Sequence, residues 1–138
     1  MQNHHHSIHH SIHLGTAWEP PPLVEADGRV LWTRRFGRPG GLEPGDVVLL
    51  VVTDPAVAAE VALNAVCLPP LSAGVGRWEQ DITPLLRGRN ELLVRVAASA
   101  DGDTMLGQRG RGQLPSVIGT VALEIVAAGT VTDGPVGA

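Results

Sequence analysis

The run from Val61 to Val96 limits what this chain can fold into more than any other part of it. It opens as a strand, with Val61 and Leu63 alternating with Glu60 and Ala62 at the two-residue period of a half-buried sheet. Asn64-Ala65 separates that run from Val66-Cys67-Leu68, which predicts a β-hairpin. A two-residue hairpin turn asks for positive φ at both central positions. Asn64 tolerates that, but Ala65 carries a Cβ where glycine would not. The expectation is therefore a turn that is distorted or longer than two residues. Pro69 and Pro70 cannot donate to a ladder and end the second strand.

After the small residues Ser72 to Gly76, alternation resumes from Arg77 to Ile82, with Trp78, Gln80 and Ile82 on one face. Thr83 to Gly88 reads as one short helical turn near 84–87. Thr83 caps it through its hydroxyl, Pro84 takes the first helical position, and Gly88 takes the left-handed position just past its end. Asp81 supports the turn beside Thr83. Leu85 and Leu86 plug the core. Asn90 to Val96 is a strand with Leu92, Val94 and Val96 on one face. Upstream, Val30–Phe36 and Asp46–Thr53 read as strands flanking a Gly- and Pro-rich loop over 37–45. Downstream, a long connection over 99–118 leads into a last strand over 119–127. Short strands with turns between them predict an all-β fold, an antiparallel β-sandwich.

A chain of 138 residues is one domain, and 43% hydrophobic content is enough for one core. Aromatics make up only 3%, so Val, Leu and Ala must fill it. The sandwich is expected over 16–127, with a disordered His-rich tail over 1–15 and a flexible tail over 128–138. The net charge of −4 has its signs interspersed, which argues against nucleic acid; Arg109-Gly110-Arg111 is too small a basic run to change that. No stretch is long and apolar enough to span a membrane, and no signal peptide is visible, so the expected location is cytoplasmic. The lone Cys67 rules out an internal disulfide and reads as a small buried hydrophobe.

Chemistry-bearing residues are few. All six histidines, His4, His5, His6, His9, His10 and His13, lie in the first 13 residues. They suit adventitious capture of zinc or nickel by a tail, not a specific metal site. With no histidine further on, a nucleophile–histidine pair has no base on the folded body. Glu79 and Asp81 share a strand face, but their bland reading, Glu79 solvated and Asp81 supporting the turn, is the stronger one. No cofactor motif is present.

The stretch Leu63-Asn64-Ala65, Gly74 to Gly76, Trp78-Glu79, Asp81-Ile82-Thr83, Leu85-Leu86, Gly88-Arg89-Asn90 and Leu92 to Val96 resembles the sugar-binding domain of glycoside hydrolase family 2, the β-galactosidase and β-glucuronidase group. Trp32 to Phe36 and Gly119 to Ile125 resemble its early and closing strands. The likeness covers roughly residues 28 to 127, and Ala65 departs from the family's usual glycine. It implies a galactose-binding-like jelly roll. Asp81, Thr83, Pro84, Gly88 and Asn90 then have structural roles. The family's catalytic acids sit in a barrel domain that this chain lacks, so the resemblance implies no catalysis. It implies a carbohydrate-binding or accessory module that meets a glycan.

A sugar site needs an aromatic platform and convergent polar groups. The candidate rings are Trp78, Trp32 and Trp18, with Arg77, Glu79, Asn64 and Arg35 to bond hydroxyls. Trp78 follows a flexible loop and is the ring expected to be exposed, with core packing the alternative for it. Trp32 and Phe36 read as core. The alternative is a protein-interaction or structural module, a glycosidase relic that docks to a partner protein or self-associates as a homo-oligomer.

Overall fold

The computed structural model describes residues 8–19, 24–97 and 114–127. They form two antiparallel sheets packed face to face. The strands are β1 (Ile8–His13), β2 (Trp18–Glu19), β3 (Arg29–Gly37), β4 (Val47–Thr53), β5 (Ala59–Leu63), β6 (Val66–Cys67), β7 (Arg77–Asp81), β8 (Arg89–Ala97) and β9 (Thr120–Val126). One sheet has the order β1-β9-β4-β7 and the other β2-β3-β8-β5-β6. Thr83–Leu85 and Ser116–Ile118 are single 3-10 turns. No helix among the described residues is long and apolar enough to cross a membrane.

The core forms where the inward positions of the two sheets meet. Val30 and Trp32 from β3, Val61 and Leu63 from β5, and Leu92, Val94 and Val96 from β8 face Val48, Leu50 and Val52 of β4 and Val121, Leu123 and Ile125 of β9. The alternation legible in the sequence is the alternation of burial, because successive side chains of a strand point to opposite faces. β4 departs from it. Every position from Val48 to Val52 is buried, on both faces. β4 lies between β9 and β7, and its outward Leu49 and Val51 join Val126 in a second apolar cluster.

The His-rich segment corrects the expected disordered tail where it is described. Residues 8–13 form β1, an edge strand antiparallel to β9, with His13 opposite Ala122 and Ile12 opposite Leu123. The reason is apolar: Ile12 packs against the core and Leu14 is buried in it. The chain then turns through Leu14 to Ala17 into the other sheet, and the indole N–H of Trp18 donates to the carbonyl of Leu14 at 2.5 Å. On a strand, His10 and His13 have no shared helical face, and both are exposed. Among the described residues no group of three metal-ligating side chains occurs. His4 to His6, the 128–138 tail and the Arg109–Arg111 run lie outside the described residues, as does most of the 99–118 connection.

The hairpin also differs from expectation. Leu63 pairs directly with Val66, so the turn is a clean two-residue one, with φ of +52° at Asn64 and +69° at Ala65. Ala65 holds the strained conformation because Asn64 is fastened from three sides, as described below. Ala65→Gly is expected to raise stability by about 0.5–1 kcal/mol, read as a shifted urea midpoint with unchanged slope. Cys67, expected to be buried, is exposed on the two-residue edge strand β6.

Candidate functional site

The side chains expected to grip a sugar do not converge. Trp78 is 8% exposed and belongs to the core, on the same inward face of its strand as Ile82 is further on. Its indole N–H is buried and has no hydrogen-bond partner among the described residues. Trp18 and Trp32 are buried as well, and Phe36, the one remaining aromatic, packs half-buried against the same core. None of the three Trp rings lies exposed to serve as a platform for the apolar face of a sugar, and Phe36 is only partly accessible.

Arg77 and Glu79 lie on the outer face of the four-stranded sheet, where they are tied into an ion-pair ladder. The Arg77 guanidinium meets Glu124 of β9 at 2.5 Å and Glu79 at 2.8 Å. Because β4 lies between β7 and β9, the Arg77 side chain must cross β4 to reach Glu124, above the outward Leu49 and Val51. Its hydrogen bonds to Glu124 and then Glu79 hold the guanidinium more firmly charged than an ordinary arginine. The two residues lock a sheet face together and leave little to offer a ligand.

Arg35 and Asn64 fall elsewhere, together, in a cleft of about 360 Å³ at the end of the five-stranded sheet, lined also by Arg87, Arg89, Asn90 and Glu91. Three separate segments build it. β3 places Arg35 opposite Glu91 of β8, and its guanidinium bridges Glu91 at 2.9 Å and Glu19 of β2. Glu19 and then Glu91 hold the Arg35 guanidinium charged. The hairpin turn supplies Asn64, whose amide donates to the carbonyl of Leu85 at 2.9 Å and to Asn90 Oδ1 at 3.0 Å. Asn64 Oδ1 accepts the Glu91 N–H at 2.9 Å. Both amide N–H groups of Asn64 and one lone pair of its Oδ1 are engaged, so the side chain helps to hold the cleft together.

Asn90 is the floor of this arrangement and is only 2% exposed. Its Oδ1 accepts the Arg87 N–H at 2.8 Å, and its amide donates to the carbonyls of Arg87 at 3.0 Å and Phe36 at 3.3 Å. Asn90→Ala strands these groups without partners and is expected to cost about 2–3 kcal/mol, measured by chemical denaturation.

The 3-10 turn beside the cleft is held differently from the expected cap. Asp81 Oδ1 accepts the Thr83 N–H at 2.9 Å, and the Thr83 hydroxyl accepts the Val48 N–H of β4 at 2.8 Å. Thr83 thus ties the turn to a strand instead of capping it, and Ile82 occupies the cap position. Pro84 is the second residue of the turn, one place later than the first helical position expected of it. Gly88 is not left-handed, because the turn ends at Leu85 and Leu86 is already extended, with φ −68° and ψ 140°.

The arginines carry one pattern that sequence reasoning missed. Of the eight described, Arg29, Arg35, Arg77 and Arg95 have carboxylate partners. Arg34, Arg38, Arg87 and Arg89 form no salt bridge among the described residues, and all four lie in or beside two antiparallel neighbouring runs, the end of β3 and the start of β8. Arg34 is the inward one. Its Nε is buried without a partner, its terminal nitrogen donates to the carbonyl of Arg35 at 2.6 Å, and burial pushes its guanidinium down from the ordinary arginine value.

Comparison with solved structures places the sandwich. It superposes on the FMN-binding β-glucuronidase of Facaelibacterium prausnitzii L2-6 with a TM-score of 0.58 at 21% identity, over 83% of this chain and 22% of that one. The β-D-glucuronidase of Dictyoglomus thermophilum matches with a TM-score of 0.61 at 14% identity, over 91% of this chain and 29% of that one. A glycosyl hydrolase family 2 member from Bacteroides cellulosilyticus DSM 14838 matches at 0.51 and 20% identity, over 71% of this chain and 13% of that one. What the chain shares with these enzymes is a fold. It spans less than a third of their length in each case. No protein-family model and no curated protein matches the sequence.

Proposed function

We propose that this chain is a non-catalytic accessory module that works by contact with a larger protein. The burial of all three tryptophans carries this reading over sugar binding through a ring platform. The fold supports it, because in the matched glycosidases the same sandwich is a small part of a much longer chain. The paired acids support the absence of catalysis: Glu79 is neutralised by Arg77 and Asp81 is spent on the Thr83 N–H. A glycoside hydrolase needs two carboxylates free to face one another across a sugar.

A second reading, glycan binding without a platform, is favoured by one observation. The cleft joins Arg35 and Asn64, two of the residues expected to contact sugar, with the uncommitted Arg87 and Arg89. Calorimetric titration with galactosides, glucuronides, mannosides and xylans separates the two. The docking reading expects no saturable heat with any of them up to ligand concentrations of about 1 mM, a limit near −4 kcal/mol of binding energy. Saturable heat that disappears in Arg87→Ala/Arg89→Ala would replace it with the glycan reading.

A further inference from the structure

We propose that the arginine-lined end of the five-stranded sheet docks an acidic segment of a partner protein, one carrying separated carboxylates. The inference rests on the docking reading above and adds to it the surface and the partner's chemistry.

Charge complementarity carries it. The chain is acidic overall at −4, and its carboxylates neutralise the arginines at the other end and on the other sheet. Arg87 and Arg89 are exposed, line the same cleft, and have no carboxylate partner among the described residues. The cleft already recognises carboxylates, since Arg35 holds Glu19 and Glu91 at its edge. Guanidinium forks match a carboxylate in two parallel hydrogen bonds, and Asn64 and Asn90 fix the backbone that carries the two unpaired ones.

Glu91 shapes the choice of partner. Glu91 is paired with Arg35, and Arg35 is also paired with Glu19, so the cations left over on the cleft wall are the two separate guanidinium groups of Arg87 and Arg89, which suit isolated side-chain carboxylates. Glu43 and Asp46 lie on the loop leading from Arg38 to β4. Asp46 is buried and accepts the Glu43 N–H at 2.9 Å.

The test titrates the chain with a blocked peptide alternating Glu and Ser, followed by calorimetry at low salt, and repeats it with Arg87→Gln/Arg89→Gln and with Arg95→Gln. Arg95 is a paired arginine away from the cleft. Intrinsic Trp fluorescence checks that each variant is folded. The expected result is saturable binding that weakens with salt, falls about tenfold or more in the double variant, and is unchanged in Arg95→Gln. Equal loss in Arg95→Gln would mean diffuse attraction and overturn the proposal. Tighter binding of duplex DNA than of the peptide would also overturn it. No peptide binding would overturn the proposal while leaving the docking reading standing. Binding of a uronate oligosaccharide but not of the peptide would sink both.

Discussion

Trp78→Ala is expected to destabilise the fold by about 3–5 kcal/mol, the usual cost of emptying a large buried aromatic site. Trp78 is 8% exposed and its ring is part of the core cluster. Removing it opens a cavity between β7 and the opposite sheet that neighbouring aliphatic side chains only partly refill. Trp78→Phe separates shape from chemistry. It keeps most of the ring volume and removes an indole N–H that has no partner among the described residues, so the loss should stay within about 1.5 kcal/mol. Urea unfolding followed by circular dichroism measures both. A fully stable Trp78→Ala would mean that the ring lies on the surface, where a sugar could stack on it.

Gly119→Ala is the second large effect, at about 4 kcal/mol from strain and overlap combined. Gly119 stands at φ +104°, where an L side chain is strained whatever space is available. Little space is available. A Cβ there would lie 2.7 Å from the carbonyl oxygen of Thr53 and 2.9 Å from Val52 Cγ1. Both neighbours belong to β4, the central strand that pairs with β9 immediately after this glycine. Relief would require prising β9 from β4 at its first residues. Gly74→Ala is the useful contrast. It also has positive φ, but a Cβ there meets nothing within 4 Å, so only the conformational part, about 1 kcal/mol, should be lost. Thermal melts of the two variants side by side read the difference as the cost of the overlap.

The sandwich was legible because each strand facing the core on one side writes its burial as a two-residue alternation. Leu92, Val94 and Val96 are the plainest case, and all three are buried. The burial of Trp78 was written in the same way, since it shares a face with Ile82, but its neighbouring glycine loop suggested exposure. β1 was missed because histidines dominate its composition. Its apolar Ile12 and the Leu14 just past its end are two residues apart, and that spacing was the signal that could have found it. β2 is two residues long, too short to show a period.

The cleft was the least legible feature. Its walls come from the end of β3, the hairpin turn and the start of β8, and only the register that sets Arg35 opposite Glu91 brings them together. No local motif encodes a register between strands 56 residues apart in sequence. The roles of Asn64 and Asn90 were partly readable. Asn90 was assigned a structural role and has one. Asn64 was expected to bond a sugar, and the structure ties its side chain to Leu85, Asn90 and Glu91.

The most direct measurement is an amide NMR titration of the ¹⁵N-labelled chain, run once with the Glu-Ser peptide and once with the glycan panel. Docking at the arginine end predicts peptide-induced shifts confined to residues 34–38, 64–65 and 86–91, and no shifts with any glycan. Peptide shifts spread over both sheets, or glycan shifts centred on the Arg77–Glu79 face, would contradict it.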